Sequence, residues 1–310
     1  MFAEKLAWIN KAQKKFLAEE SDQAGELGER LAYECLQGVL KDCGRGARLF
    51  NSVRVPKPNG SGKYEIDIIL VSRAAVLVIE VKHWGGALEK HADGWTQTRG
   101  QGKKTFQDPI GLNQEKTNAL GRWLEQRDNL VSSSAIHSMV VLTNPQVELG
   151  ARLQKETSVL PLSTLADVAR FKCALPKRKF FQKKRKEVFD FNAVIASLEL
   201  LPTWDRVRFH GGKLCYGDLD RIVLSHLQPS TLVRKSVQSA KVVMSRRVFP
   251  GIFLKPKLRI KDWAGKKKSY PLDPDAKMIF QLAGQAQKEE IPFVHVEALD
   301  LGWKDFPYKQ

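Results

Sequence analysis

Residues 64–86 read YEIDIILVSRAAVLVIEVKHWGG, two apolar, β-branched runs, Tyr64–Val71 and Ala75–His83, joined by a tight turn near Ser72–Ala74. Runs that are apolar on both faces are what buried central strands of a sheet require. Past Glu65 at the start of the first run, only three charges break them: Asp67 in the first run, Glu80 and Lys82 in the second. Strand alternation puts Glu80 and Lys82 on one face, and the turn brings Asp67 back beside them. Burying an unpartnered charge is costly, so three of them among Ile, Val and Leu call for a metal or a mutual ion-pair network.

The surrounding pattern predicts what carries these strands. Leu6, Ile9, Ala12, Phe16 and Leu17 predict a peripheral amphipathic helix over residues 3–20, and Leu27, Leu31, Cys35 and Val39 a second helix from Gly25 to Leu40. Arg48–Val55 adds a strand before the two central ones, and ALEKHADGWTQT predicts a hairpin around Asp93-Gly94. Asp108-Pro109 suits a helix cap followed by proline in the first turn, opening a helix to Gln126. Ile136–Leu142, the short SVLPL stretch and a helix over Ser163–Phe171 complete an α/β domain over residues 22–172, after a peripheral segment 1–21. Residues 177–186, KRKFFQKKRK, carry seven basic residues in ten and predict a linker over 173–190. From 191 to 310, short strand-like stretches divided by turns predict a second, β-rich domain.

Two carboxylates converging from neighbouring strands are oxygen ligands of the kind Mg²⁺ takes, its other positions going to water and substrate phosphate. A phosphodiester is the natural substrate, with Lys82 placed to position water or to stabilise charge on the phosphate. Asp67 followed by Glu80-Val81-Lys82 resembles the D…(D/E)xK signature of the PD-(D/E)xK nuclease superfamily. The wider context looks like its NERD (nuclease-related domain) family, through Gly28-Glu29, Glu65-Ile66-Asp67, Ile79-Glu80-Val81-Lys82, Trp95 and Asp108-Pro109, over about residues 22–145. The resemblance implies the restriction-endonuclease-like fold, αβββαβ, the order read independently above. It also implies that Asp67 and Glu80 bind Mg²⁺ or Mn²⁺ with the Val81 carbonyl as a further ligand, that Lys82 is catalytic, and that Glu29 reaches in from its helix. On a helical wheel Glu29 sits at the shoulder of the apolar face while Glu26 points away. One departure stands out: the family's Asn-Pro with Gln four residues after the Asn is here Asp108-Pro109 with Leu112, and Gln114, two residues later, is taken as the candidate site residue. His83, Trp84 and Trp95 are read as packing residues, and the histidines show no zinc-ligand spacing.

The chain carries a formal net charge of +17 over 310 residues, unevenly placed. Residues 1–170 hold 23 basic and 20 acidic residues, leaving 28 and 14 for residues 171–310. A polyanion is the expected partner of the second half, and nucleic acid, DNA before RNA, fits better than a membrane, because no basic amphipathic helix with an aromatic face is found. Lys255, Lys257, Arg259 and Lys261 occupy alternate positions of one strand, a cationic row at about 6.6 Å intervals that Lys266, Lys267 and Lys268 extend. The alternative is a solvated edge strand protected by lysines. In the linker, Lys177, Arg178 and Lys179 are read equally as phosphate contacts or as charged tether. No apolar run is long enough to span a bilayer, the first residues lack the apolar centre of a signal peptide, and the four cysteines suggest no disulfide framework, so a cytoplasmic protein is expected. The leading expectation is a metal-dependent nuclease, most simply an endonuclease, with a basic domain that holds the polymer. The alternative is a nucleic-acid-binding or scaffolding protein that keeps the fold without turnover.

Overall fold

The computed structural model describes residues 20–43, 46–60, 62–129, 131–174, 188–224, 231–234, 237, 239–243, 247–249, 252–253, 257–262, 264–283, 285 and 287–302. Most of the expected first helix, the basic segment 177–186 and Lys255 lie outside these residues. Gln23–Pro202 forms one compact unit, and the chain from Thr203 onward, grouped with the residues before Gln23, forms the other.

The first unit is built on a five-stranded sheet in the order β1-β2-β3-β7-β9. Its strands are β1 (Ala47–Pro56), β2 (Lys63–Ser72), β3 (Val76–Lys82), β7 (Ile136–Leu142) and β9 (Val159–Pro161). The first three are antiparallel, whereas β3, β7 and β9 run parallel. Both faces of β2 and β3 are apolar because both are covered. On one face α1 (Glu20–Cys43) lays Ala32, Leu36 and Val39 against Ile68, Leu70, Leu77 and Ile79, beside α4 (Leu162–Cys173). On the other, Ala119, Leu120, Trp123 and Leu124 of α2 (Pro109–Glu125) pack on Val53, Val71, Val76 and Val78.

α5 (Phe191–Glu199) shares that second face through Phe191, Val194 and Leu198. The Ser197 carbonyl accepts the Trp123 indole N–H at 3.1 Å, and the Pro202 carbonyl accepts the Arg54 N–H at 2.8 Å. The domain boundary expected at residue 190 therefore moves to 202: residues 191–202 pack with the first unit.

Beside the main sheet lies a smaller one, β6-β5-β4-β8, formed by β4 (Gly86–His91), β5 (Gly94–Arg99), β6 (Gly102–Phe106) and β8 (Val147–Leu149). The expected hairpin is β4–β5, and β6 adds a third antiparallel strand to it. Gly94, at φ 145°, could carry no Cβ, which would fall 2.1 Å from the Phe106 carbonyl oxygen. Leu88 and Trp95 of this sheet, with Leu153 of the short α3 (Ala151–Gln154), pack on Val140, Leu142 and Val159.

From Thr203 onward the second unit is built mainly of β-strands among its described residues, with a 3-10 turn at Phe293–His295. β10 (Asp205–Phe209), β11 (Leu214–Val223), β18 (Lys277–Leu282), β19 (Glu289–Pro292) and β20 (Val296–Asp300) form the antiparallel order β19-β18-β11-β10-β20, with β12 (Thr231–Val233) also on β11. A second sheet runs β13-β16-β17 over Ser239–Val243, Lys257–Lys261 and Lys267–Pro271, and β14 (Arg247–Phe249) pairs with β15 (Ile252–Phe253). Val207, Leu219 and Phe280 share one apolar core with Val242, Leu258 and Ile260 of the smaller sheet. Asp205 is fully buried against Arg234 at 3.1 Å and accepts the Leu219 and Gly302 N–H groups. A buried charge so completely satisfied is a structural tie.

Candidate active site

The β2–β3 ladder runs from Val71–Val76 to Ile68–Ile79 and stops there. The next two positions in register are Asp67 and Glu80. Where the strands part, the Asp67 carboxylate accepts the Val81 N–H at 2.7 Å, standing in for a lost ladder bond. The Lys82 carbonyl accepts from Thr143 N–H on the β7 side at 3.0 Å, so strand alternation turns the Val81 carbonyl toward the Asp67 side. The opening thus has two carboxyls and a backbone carbonyl at its mouth.

Glu80 is buried and ion-paired twice, through Oε1 to Lys82 Nζ at 2.6 Å and through Oε2 to Lys116 Nζ. Lys116 comes from α2, which is pinned to the sheet by Asn113, whose buried amide donates to the Val78 and Met139 carbonyls at 3.0 and 2.9 Å. One turn separates the two residues, so the clamp at Asn113 sets Lys116 beside Glu80. The Asp108 cap starts this helix, accepting from the Ile110 and Gly111 N–H groups and from the Trp95 indole at 2.8 Å. A carboxylate at this position thereby ties the smaller sheet to α2.

Gly28 lets α1 approach: a Cβ there would sit 2.8 Å from Thr143 Oγ1 and 2.9 Å from His83 Cβ. The next residue, Glu29, consequently lies within electrostatic reach of Glu65, Lys82 and Glu80. Its carboxyl is raised to about 7, first by burial and then by Glu65. Burial and the Glu80 charge raise Asp67 to about 8, against the pull of Lys116 and Lys82. Glu80 goes the other way: burial would raise it, but its two ammonium partners hold it below the usual range. Lys82 is held charged, its burial outweighed by Glu80 and Asp67.

With this geometry in place, the comparison with known families is decisive for one part of the chain. Residues 24–143 match the family model of the nuclease-related domain, NERD. The match ends one residue beyond β7, and no curated protein and no solved structure is matched by the chain. The NERD segment spans the αβββαβ order on the page, and with it the PD-(D/E)xK-like fold of the first unit.

Of the residues singled out in the NERD segment, Glu29, Asp67, Glu80, Val81 and Lys82 come together. Gln114 does not. It is exposed on α2, its amide donating to Asn118 at 3.0 Å, and at 100° per residue it lies on the far side of the helix from Lys116. Lys116 occupies the place expected of it. Leu120, Thr117 and Asn113 continue a buried stripe back from Leu124, and that spacing, followed in the sequence, leads to the flank where Lys116 stands. His83 bonds Thr143 Oγ1 through Nδ1 at 2.9 Å, Trp95 is fully buried, and Trp84 stacks on Phe106 at 4.2 Å between centroids.

Asp67, Glu80 and Glu29 offer hard oxygen donors only. Among the described residues no three acidic, histidine or cysteine side chains close on one point as a complete metal cage. One or two carboxylates with waters completing the shell is the donor set Mg²⁺ or Mn²⁺ takes, so the residues present fit such an ion.

In the second unit Lys257 and Arg259 are exposed and Lys261 half-buried on β16, with Leu258 and Ile260 turned into the core. β16 lies between β13 and β17, so the solvated-edge reading does not hold for it. Lys267 and Lys268 are on β17, and Lys266 sits in the preceding turn with its N–H on Asp262 Oδ1. Lys177, Arg178, Lys179 and Lys255 lie outside the described residues. No described helix is long and apolar enough to cross a membrane.

Proposed function

We propose that the first unit hydrolyses phosphodiester bonds of nucleic acid, DNA in the first instance, using a divalent cation held by Asp67 and Glu80 with the Val81 carbonyl. The observation that carries this reading is the parting of β2 and β3 at Asp67 and Glu80, with a lysine on each side of Glu80. When bound, Mg²⁺ or Mn²⁺ would polarise a phosphoryl oxygen and supply an acidified water. Lys82, anchored on Glu80, presents an ammonium to charge developing on the phosphate. Lys116 holds the other oxygen of Glu80 and fixes its orientation, and Glu29 orients water from the side of α1. DNA is preferred on the resemblance to DNA-cutting nucleases, and internal cutting on the site's position at an open strand end. The cationic face of β16 and β17 would retain the polymer.

A second reading, a fold kept for binding without turnover, draws on the same Glu80, both of whose oxygens are occupied by ammonium groups. Cleavage decides between them. Labelled DNA and RNA, single- and double-stranded, are incubated with the full chain and Mg²⁺, Mn²⁺ or EDTA. The expected result is metal-dependent cutting of DNA that falls by at least about a hundredfold in Lys82→Ala while binding survives. Equal cutting by wild type and Lys82→Ala overturns the catalytic assignment, and no cutting of any form establishes the binding-only reading.

A further inference from the structure

A groove of about 890 Å³ in the second unit is lined from β10 and β20 on one side and from β13, β16 and β17 on the other. Five cations border it: Arg208, Arg259, Lys261, Lys267 and Lys268. Lys261 stands directly opposite Lys267 in the β16–β17 register, a like-charge pair that costs stability unless an anion lies between. Because β16 is hydrogen-bonded on both sides, these charges are held in register on a fixed backbone.

The groove also contains apolar surface, from Ala298 and the aliphatic stems of its long cations, over a floor where Ala240, Ile260 and Leu299 are buried, and two carboxylates, Glu297 and Asp300, on the β20 wall. These three properties select the ligand. Cations ask for a polyanion, the carboxylated wall repels a second anionic chain, and the apolar surface asks for something with a flat, poorly hydrated face. A duplex shows phosphates outward on both strands and satisfies only the first. A single strand satisfies all three, its phosphates on the cationic wall and its bases over the apolar surface.

We propose that this groove seats a single nucleic-acid strand, bound without regard to sequence. The proposal deepens the nuclease reading, on which it rests only for the choice of nucleic acid as the polyanion. Arg208 enters the site from β10, a strand that the cationic row of the sequence does not include.

The test is fluorescence anisotropy of a labelled oligothymidylate and of a duplex of equal length, with the full chain in EDTA, so that cutting plays no part. Between about 50 and 200 mM salt the single strand should bind more tightly than the duplex and lose affinity steeply. Arg259→Gln with Lys261→Gln should weaken single-strand binding at least about tenfold and reduce the log–log salt slope by about 1.4, some 0.7 for each cation removed. Arg208→Gln, remote in sequence, should weaken it as well, so the proposal does not depend on one variant folding. Unchanged affinity and slope in both variants overturns the groove, and duplex or anionic-vesicle binding as tight as the single strand, lost in parallel, overturns the choice of ligand. A chain that binds this way and does not cut upholds the groove and refutes the nuclease reading, whereas cutting with intact binding in the groove variants does the reverse.

Discussion

Asp67 and Glu80 are adjacent carboxyls with opposite tendencies, and the cause is the placing of two lysines. Both ammonium groups touch Glu80, which keeps its charge, while Asp67 is left to burial and to the Glu80 charge. Asp67 at about 8 and Glu29 at about 7 lie above their unfolded values of 3.8 and 4.5. Across that interval the folded chain binds protons that the unfolded chain has released, so these groups make metal-free stability fall as pH rises from about 4 to 8. Asp67→Asn keeps an oxygen for the Val81 N–H and removes the charge. Its melting temperature without metal should exceed that of wild type at pH 8, by about 3 °C or more, and by much less at pH 5. Added Mn²⁺ should raise the wild-type value and leave the variant unmoved. A variant no more stable than wild type at pH 8 would show that the Asp67 charge is not under strain.

At the scale of elements, α1 is placed by an absence of side chain. Alanine normally favours a helix over glycine by about 1 kcal/mol. Gly28→Ala should reverse that sign, because the added methyl meets Thr143 and His83 where β3 ends, and the outward shift of α1 takes Glu29 with it. Thermal melts and cleavage rates of Gly28→Ala should both fall, cleavage by about tenfold; a stabilised and fully active variant would remove α1 from the site. The three strands around Asp67 and Glu80, and α2 with its Asp108-Pro109 start, are legible in the sequence, because each carries its own period and its own stop signals. Two features are not. GKKTF of β6 has no apolar alternation and becomes a strand only by pairing with β5 across the Gly100-Gln101 turn. FNAVIASLE of α5 is evidently helical and apolar, yet nothing local says that its core is the sheet bearing Val53, more than a hundred residues earlier. Lys116 was hidden for a similar reason: a lysine beside a buried stripe looks like an ordinary boundary residue until the partner carboxylate on another element is known.

Across the whole molecule, the proposed chemistry and the proposed retention fall to differently charged parts. Residues 1–170 are nearly balanced, at 23 basic against 20 acidic, so the surplus belongs to the rest. Raising salt from about 50 to 200 mM should therefore raise KM for a long substrate at least about tenfold and leave kcat within about twofold. Parallel collapse of both would mean that the excess charge acts in the chemical step. The double lysine clasp on Glu80 has a consequence for the life of the protein in a cell. Domains whose ligands repel one another fold only when their metal arrives, and without it they are cleared by proteases. Here the clasp neutralises the buried Glu80 with groups of the chain itself, so on the proposed metal-dependent reading the chain should mature whether or not a cation is at hand. A shortage of metal would leave a standing stock of intact, silent molecules, and its return would restore activity at once, with no new synthesis.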